Sequence, residues 1–161
     1  MSKISVLMVC LGNICRSPMA EAVFRYHVLN AGLADVIEVD SAGTASYHVG
    51  EKAHPRTLET LAKRDIPHQG RARQFVAHDF QRFQYVWAMD RENLMYIQRL
   101  APPTSQKGQA ALFLSEAFAQ GLTDTDEVPD PYYTGEYERV YALVEAGSKA
   151  WLARLRKEGS L

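Results

Sequence analysis

A cysteine and an arginine with five residues between them are the side chains whose types and spacing could do chemistry. Cys10 and Arg16 stand at the two ends of residues 11–15. If this stretch curls into a loop, its backbone N–H groups and the Arg16 guanidinium converge on the Cys10 sulfur. Such charges favour thiolate over thiol, so we expect Cys10 to be ionised at neutral pH. The same donors would bind three oxygens of a phosphate ester and hold its phosphorus against the sulfur.

The other residues of this stretch suit a tight turn that binds an anion. Gly12 turns the backbone without the steric cost of a Cβ atom. Asn13 is a residue type that tolerates left-handed backbone and can tie the loop to itself. The Ser17 hydroxyl can donate to the thiolate and steady it as a leaving group. Ser17 can also serve as a helix N-cap, with Pro18 as the first helical residue.

An apolar strand and a helix must position this loop. Residues 4–9 form an apolar run that is typical of a buried strand. Residues 19–26, after Pro18, follow a helical pattern that we expect to end near Gly32. A turn from a strand into a helix points backbone N–H groups and the positive helix end at one place, which is a site for an anion.

Strands and helices alternate along the rest of the chain. Strands are predicted at residues 36–39, 85–89 and 110–114. Helices are predicted at residues 55–62, within 75–83, at 91–100 and at 137–157. A turn at 41–44 and a loop at 65–73 separate some of them. This α/β alternation predicts a three-layer sandwich, in which helices cover both faces of a four-stranded parallel sheet. Ligands bind beyond the carboxyl ends of such strands, where Cys10 and Asp90 are expected.

Length and composition are those of one globular domain, spanning residues 1–161. The chain carries 18 basic and 19 acidic residues, and this balance gives no case for nucleic acid or an anionic membrane as a partner. The apolar run at residues 6–11 is too short for a membrane span, and a signal peptide is not expected. Two cysteines so close together make no secreted disulfide framework, so we expect a cytoplasmic protein. We also expect it to act as a monomer.

The string Cys10-Leu-Gly-Asn-Ile-Cys-Arg-Ser17 resembles the signature of the low-molecular-weight protein tyrosine phosphatases. The whole string, between an apolar strand and a helix led by proline, is far more specific than its cysteine and arginine alone. The resemblance runs from residue 4 to about residue 158. It implies hydrolysis of phosphotyrosine in proteins without a cofactor or metal: Cys10 attacks phosphorus to form a phosphocysteine, and Arg16 holds the equatorial oxygens. It assigns phosphate binding to Leu11, Gly12, Asn13, Ile14, Cys15 and Ser17.

An aspartate far along the chain matches the general acid of this family. Asp130 lies in Pro-Asp-Pro-Tyr-Tyr, residues 129–133, which without the resemblance is a solvated acidic turn. The chemistry requires an acid to protonate the leaving phenolate and then a base to activate water against the phosphocysteine. The resemblance gives Asp130 both tasks. We expect nearby carboxylates and the anionic substrate to raise the pKa of Asp130, which suits an acid.

The resemblance also implies the walls and the support of the site. Tyr132, after Asp-Pro, and Tyr47, where many relatives have tryptophan, would wall a cleft deep enough for phosphotyrosine and too deep for phosphoserine. Asp90, in Met-Asp-x-x-Asn, would help to anchor Arg16. It could equally cap the helix that follows it, and the two roles are compatible.

Two further residues leave alternatives open. In the family a second cysteine at the position of Cys15 can form a disulfide with the nucleophile under oxidants, which would protect Cys10. The alternative for Cys15 is a buried thiol. His68 precedes an Ala-Arg-Gln segment, as a loop-supporting histidine does in many relatives. Its spacing differs from the common form, so the sequence assigns no role to His68.

Three other functions compete with tyrosine phosphatase activity. Arsenate reductases of the family's type need further cysteines beyond the loop, and this chain has none after Cys15. Protein-arginine phosphatases carry a smaller threonine where Ile14 stands, so Ile14 favours phosphotyrosine over phosphoarginine. A phosphate-binding module without catalysis could lose the nucleophile or the acid, whereas Cys10 and Asp130 are both present.

Overall fold

A parallel sheet forms the centre of the computed structural model, which describes residues 3–106 and 108–159. Its strands are β1 (Ile4–Cys10), β2 (Ile37–Gly43), β3 (Tyr85–Ala88) and β4 (Ala110–Leu112). They lie in the order β2-β1-β3-β4, and each neighbouring pair is parallel. The predicted domain includes residues 1, 2, 107, 160 and 161, which lie outside the described residues.

Helices cover both faces of this sheet. They are α1 (Arg16–Asn30), α2 (Pro55–Ala62), α3 (Asp79–Arg82), α4 (Arg91–Leu100), α5 (Ser115–Ala119), α6 (Pro131–Thr134) and α7 (Tyr137–Lys157). The three-layer α/β sandwich predicted from the sequence is confirmed. Within the described ranges, no helix has both the length and the apolar character needed to cross a membrane.

The side chains of β1 alternate between two cores, because successive residues of a strand point to opposite faces. Val6 and Met8 join the core formed with α1 and α7. Leu7 and Val9 join a second core with α4 and the segment around α3. All seven residues of β1 are buried, as a central parallel strand requires. Cys10, the last residue of β1, is therefore held at a fixed position at the carboxyl ends of the strands.

Aromatic rings fill the core between the sheet and α7. Trp87 of β3 stacks on Trp151 of α7, with ring centroids 4.3 Å apart and an angle of 12° between the planes. Phe24 of α1 meets Trp87 edge-on at 5.5 Å. The indole N–H of Trp151 donates to the carbonyl oxygen of Phe113, so this polar group is satisfied although it is buried.

The start of α1 and the end of β2 differ from the prediction. Cys15 rather than Ser17 holds the N-cap position, and α1 begins at Arg16. The prediction of Ser17 as N-cap is wrong because its hydroxyl turns toward the Cys10 sulfur instead of a helix N–H. The turn predicted at residues 41–44 is wrong for residues 41–43, which continue β2 because they pair with residues 8–10 of β1.

The ends of two strands and two short helices are the other departures from the predicted elements. Strand β3 ends at Ala88 and β4 at Leu112, before the predicted residues 89 and 114. Helix α3 lies within the segment 75–83, as predicted. Neither α5 nor α6 is predicted, since five and four residues are too few for a periodic pattern. In contrast, α2 and α4 have the predicted bounds, and α7 covers the predicted range.

Candidate active site

Residues 11–15, the phosphate loop, curl around the Cys10 sulfur. The backbone N–H of Asn13 donates to Cys10 Sγ at 3.3 Å, and Ser17 Oγ lies 3.0 Å from the same atom. Asn13 takes the left-handed conformation, with φ at 58°, which closes the turn. Cys10 is 2% exposed. The sulfur thus lies at the bottom of a site whose floor consists of hydrogen-bond donors.

The side chain of Asn13 ties the phosphate loop to three other segments. Its Nδ2 donates to Ser17 Oγ at 2.8 Å and to Ser41 Oγ at 3.0 Å. Its Oδ1 accepts from the backbone N–H of Arg73 at 3.0 Å. The amide therefore uses both donor hydrogens and its acceptor, and it fixes the loop to α1, β2 and the segment before α3.

A buried carboxylate continues this network behind the loop. Ser41 Oγ donates to Glu21 Oε1, and His68 Nε2 lies 3.3 Å from the same oxygen. Burial works to raise the pKa of Glu21, but the hydrogen bonds to His68 and Ser41 and the charge of Arg25 lower it. Glu21 is thus a buried anion that orients Ser41 toward Asn13.

His68, to which the sequence assigns no role, is the far end of that network. Its side chain is only 4% exposed, and its contact with Glu21 joins the segment before α3 to α1. Glu21 and Ser41 are missed by the sequence prediction. Ser41 is missed because the sequence predicts a turn at residues 41–44. In the structure Ser41 belongs to β2 and pairs with Met8, so it lies near the carboxyl end of β1, where Cys10 is.

Arg16 lies beside the sulfur and is held by carboxylates. Its Nη1 donates to Asp90 Oδ2 at 2.6 Å and to the carbonyl oxygen of Val128 at 3.0 Å, and its Nη2 lies 3.5 Å from Asp130 Oδ2. Burial opposes the charge of Arg16, but Cys10, Asp90 and Asp130 raise its pKa. The arginine therefore stays a cation although it is 3% exposed.

Asp90 makes both contacts that the sequence leaves open. One carboxylate oxygen accepts from Arg16, and the other accepts from the backbone N–H of Asn93 at 2.8 Å as the N-cap of α4. One side chain thus links the orientation of the arginine to the start of a helix.

Asp130 begins α6 and faces the same cleft. Its Oδ1 accepts from the backbone N–H of Tyr132 at 3.1 Å, which fixes the carboxylate as the N-cap of this short helix. The acidic residues that precede it are paired, since Arg91 donates from both guanidinium Nη atoms to Asp126 and from its backbone to Glu127. These contacts hold the segment that leads into α6 against the start of α4.

A cleft of about 180 Å³ opens above the sulfur. The predicted residues that line it are Cys10, Leu11, Gly12, Ile14, Cys15, Arg16, Tyr47, Asp130 and Tyr132. His48 and Tyr133 also line it and are missed by the sequence prediction. Asn13, Ser17 and Asp90 stand outside the lining and act through the residues that they contact.

The second cysteine lies within the cleft but is engaged elsewhere. Cys15 Sγ lies 3.4 Å from the Tyr137 hydroxyl, and both cysteines are free thiols. Burial raises the pKa of the Cys15 thiol to about 11, although the hydrogen bond to Tyr137 opposes this shift. Cys15 is therefore protonated at neutral pH. Among residues 3–106 and 108–159, no group of three or more His, Cys, Asp or Glu side chains is arranged to hold a metal ion.

Comparisons with known proteins agree with this geometry. The model of the family described as low molecular weight phosphotyrosine protein phosphatase matches residues 5–161. The low molecular weight protein-tyrosine-phosphatase YfkJ of Bacillus subtilis is 42% identical over 98% of this chain and 99% of its own length. A corresponding phosphatase of Streptomyces coelicolor is 45% identical, over 95% of this chain and 94% of its own.

Solved structures show the same relationship. The crystal structure of YfkJ superposes with a TM-score of 0.92, at 42% identity and with 98% of each chain covered. The structure of a Drosophila arginine phosphatase has a TM-score of 0.84 at 30% identity, with 92% of this chain and 96% of that chain covered. The architecture is thus shared beyond one group of bacteria.

Proposed function

Since this chain belongs to the low-molecular-weight phosphotyrosine protein phosphatase family, we propose that Cys10, Arg16 and Asp130 carry out the hydrolysis of phosphotyrosine. The protein is a phosphoric monoester hydrolase. The observation that supports these roles is the cleft itself, where a sulfur, a buried guanidinium and a carboxylate line one wall and floor. These are the nucleophile, the oxyanion partner and the proton donor that the reaction requires.

The first step transfers the phosphoryl group to sulfur. The Cys10 thiolate attacks phosphorus, and the bond between phosphorus and the tyrosine oxygen breaks. Asp130 gives its proton to that oxygen, so that tyrosine leaves as a neutral phenol. The Arg16 guanidinium and the backbone N–H groups of the phosphate loop stabilise the charge on the three equatorial oxygens.

The second step releases phosphate. The Asp130 carboxylate takes a proton from water, whose oxygen attacks phosphorus, and the bond between phosphorus and sulfur breaks. The Ser17 hydroxyl, 3.0 Å from the sulfur, donates a hydrogen bond to the departing thiolate. Phosphate leaves, and the enzyme regains a Cys10 thiolate and a protonated Asp130.

Aromatic walls support a preference for phosphotyrosine. Tyr47, Tyr132 and Tyr133 are 75%, 54% and 77% exposed, so their rings stand around the mouth of the cleft, free to stack on a bound tyrosine. Ile14, on the wall, reduces the room available to phosphoarginine. We infer that the substrates are phosphotyrosine-bearing proteins of the cytoplasm and that the enzyme acts as a monomer. Its net charge of −1 gives no case for nucleic acid or an anionic membrane as a partner.

The test is release of phosphate from phosphotyrosine, phosphoserine and phosphoarginine peptides, side by side, in the presence of a chelator. Turnover of the phosphotyrosine peptide alone, lost in Cys10→Ser, supports the nucleophile and the specificity together. A preference for phosphoarginine would keep the mechanism and overturn the argument from Ile14. Normal turnover by Cys10→Ser would exclude Cys10 as the nucleophile, and a rate that needs added metal would overturn the metal-free mechanism.

A further inference from the structure

The first turn of α2 contacts both the phosphate loop and the segment that carries Asp130. We call residues 129–136 the acid loop. The backbone N–H of His54 donates to the carbonyl oxygen of Ile14 at 2.8 Å, which docks the start of α2 on the phosphate loop. The helix start therefore has a fixed position relative to the nucleophile.

The ring of His54 reaches from this position to Tyr132 of the acid loop and to Tyr137, the first residue of α7. It stacks on Tyr137, with centroids 5.4 Å apart and 27° between the planes, and meets Tyr132 edge-on at 6.1 Å. The backbone N–H of Tyr132 is the group that bonds Asp130 Oδ1. The imidazole thus packs directly against the residue that orients the carboxylate.

Arg56, two residues after His54, contacts the other end of the acid loop. Its Nη2 donates to the carbonyl oxygen of Gly135 at 3.0 Å, and its guanidinium lies 4.5 Å from the centroid of the Tyr137 ring. Gly135 ends α6 with φ at 75°, a conformation that favours glycine. The acid loop is therefore held at Tyr132 by His54 and at Gly135 by Arg56.

The hydrogen bonds of His54 define its charge. Its Nδ1 accepts from the backbone N–H of Arg56 at 3.1 Å as the N-cap of α2, so Nδ1 carries no proton. Burial, together with the charges of Arg56 and His48, lowers the pKa of His54. The ring is neutral at neutral pH, which suits its stacking on another aromatic ring.

We propose that His54 is a positioning residue for the general acid, because its ring holds Tyr132, and through it the Asp130 carboxylate, toward the phosphate loop. This inference rests on the proposed role of Asp130. A general acid must lie within hydrogen-bond reach of the leaving oxygen. A loosened acid loop should therefore lower kcat/KM most for weakly acidic phenols, which leave poorly unless they are protonated.

The experiment measures kcat/KM for aryl phosphates whose phenols span a wide range of acidity. His54→Asn keeps an N-cap acceptor but removes the ring. We expect about a tenfold loss for the least acidic phenol and a loss of less than about twofold for the most acidic one. His54→Phe keeps a ring and loses the cap, so its melting temperature falls while its loss stays smaller than that of His54→Asn.

A double-mutant cycle separates positioning of the acid from a general structural role. In Asp130→Ala, where no acid remains to be positioned, His54→Asn should change kcat/KM less than about twofold further. The matched control is His78→Asn, since His78 is exposed and precedes α3 without a side-chain capping bond. It should match the native enzyme on every substrate.

Three results would overturn the proposal. The first is that kcat/KM of His54→Asn depends on the acidity of the leaving phenol in the same way as kcat/KM of the native enzyme. If His54→Asn does not fold, the second ringless variant, His54→Ser, serves for this comparison. Another is a loss that simply adds to that of Asp130→Ala. The third is that kcat/KM of Asp130→Ala depends on the leaving phenol as in the native enzyme, which would remove Asp130 from the role of general acid. This failure of the proposed function is distinguishable from a failure of the His54 proposal, because His54 is intact in that variant.

Discussion

Asn13 joins backbone geometry to chemistry in a single residue. Its left-handed conformation turns the phosphate loop, its N–H faces the Cys10 sulfur, and its side chain bonds Ser17, Ser41 and the backbone of Arg73. Asparagine suits all of these tasks, since it tolerates positive φ and carries both donors and an acceptor. The loop therefore keeps its shape before any phosphate binds.

Asn13→Ala should weaken both the fold and the activity. Alanine disfavours φ near 58°, and its methyl group leaves the buried partners of the amide unpaired. We expect the free energy of unfolding in urea to fall by about 2–4 kcal/mol and kcat/KM to fall by at least about tenfold.

Asp65→Ala provides the matched control for that change. Asp65 has φ at 57° and is exposed, away from the residues that line the cleft. It should lose about 1 kcal/mol of unfolding free energy and keep kcat/KM within about twofold. Equal losses of activity in the two variants would show that the Asn13 side chain has no special part in the loop.

Among the helices, α4 has an N-cap that also serves the site. The bifunctional contacts of Asp90 make the start of α4 part of the arginine's support, so helix capping and the orientation of Arg16 depend on one carboxylate.

Two substitutions at Asp90 should separate these tasks. Asp90→Asn keeps a capping oxygen but loses the charge that faces Arg16, whereas Asp90→Ala loses both. Both variants should lose activity, and their unfolding free energies should differ by about 1 kcal/mol, the value of the cap. Measurement of kcat and of urea unfolding checks this. If Asp90→Asn kept native kcat, the charge of Asp90 would be irrelevant to Arg16.

Local signals explain which elements can be predicted from the sequence. Helices α2 and α4 carry their start signals in place, Pro55 after the N-cap and Asp90 as the N-cap, and their predicted bounds are correct. The extent of β2 cannot be found in this way, since Ser-Ala-Gly looks like a turn until its pairing with β1 is known.

Candidate site residues divide along the same line. Cys10 and Arg16 lie in one short string and are predicted from it. Glu21, Ser41 and His68 meet only in three dimensions, from segments that are 20 to 47 positions apart in the chain, so no local pattern marks them. His54 directly precedes the helix predicted from residue 55, but neither its capping role nor its contacts with the acid loop can be found from the sequence.

For the whole molecule, α7 packs closely against the segment that follows β4. Gly147 is buried in α7, and a Cβ atom at this position would lie 2.5 Å from Phe113 Cε2. Phe113 itself is fully buried, so its ring has little room to move. The glycine allows α7 to approach the sheet.

Gly147→Ala should destabilise the protein although alanine is the better helix former. Overpacking against Phe113 costs about 1–3 kcal/mol, against a gain of about 1 kcal/mol in helix propensity. Urea unfolding followed by circular dichroism measures the net change. We propose that residues 1–161 form one domain, so the transition should be a single cooperative step.

Ala142→Gly, at an exposed position of the same helix, measures the propensity alone and should cost about 1 kcal/mol. If Gly147→Ala raised the free energy of unfolding by as much as Ala142→Gly lowers it, the Phe113 ring would have moved aside at no cost, and the overpacking argument would be wrong.

The stack of Trp87 on Trp151 also has an optical consequence. The chain has two tryptophans, and both lie in this one stack between β3 and α7. Tryptophan fluorescence therefore reports a single place, the packing of α7 on the sheet. Two indoles in contact should also give a coupled near-ultraviolet circular dichroism signal, which is lost when α7 detaches. Within the described part of the chain, the cleft is lined by tyrosines and contains no tryptophan. The variant Tyr47→Trp would therefore add a fluorescent probe that reports on the mouth of the cleft, separately from α7.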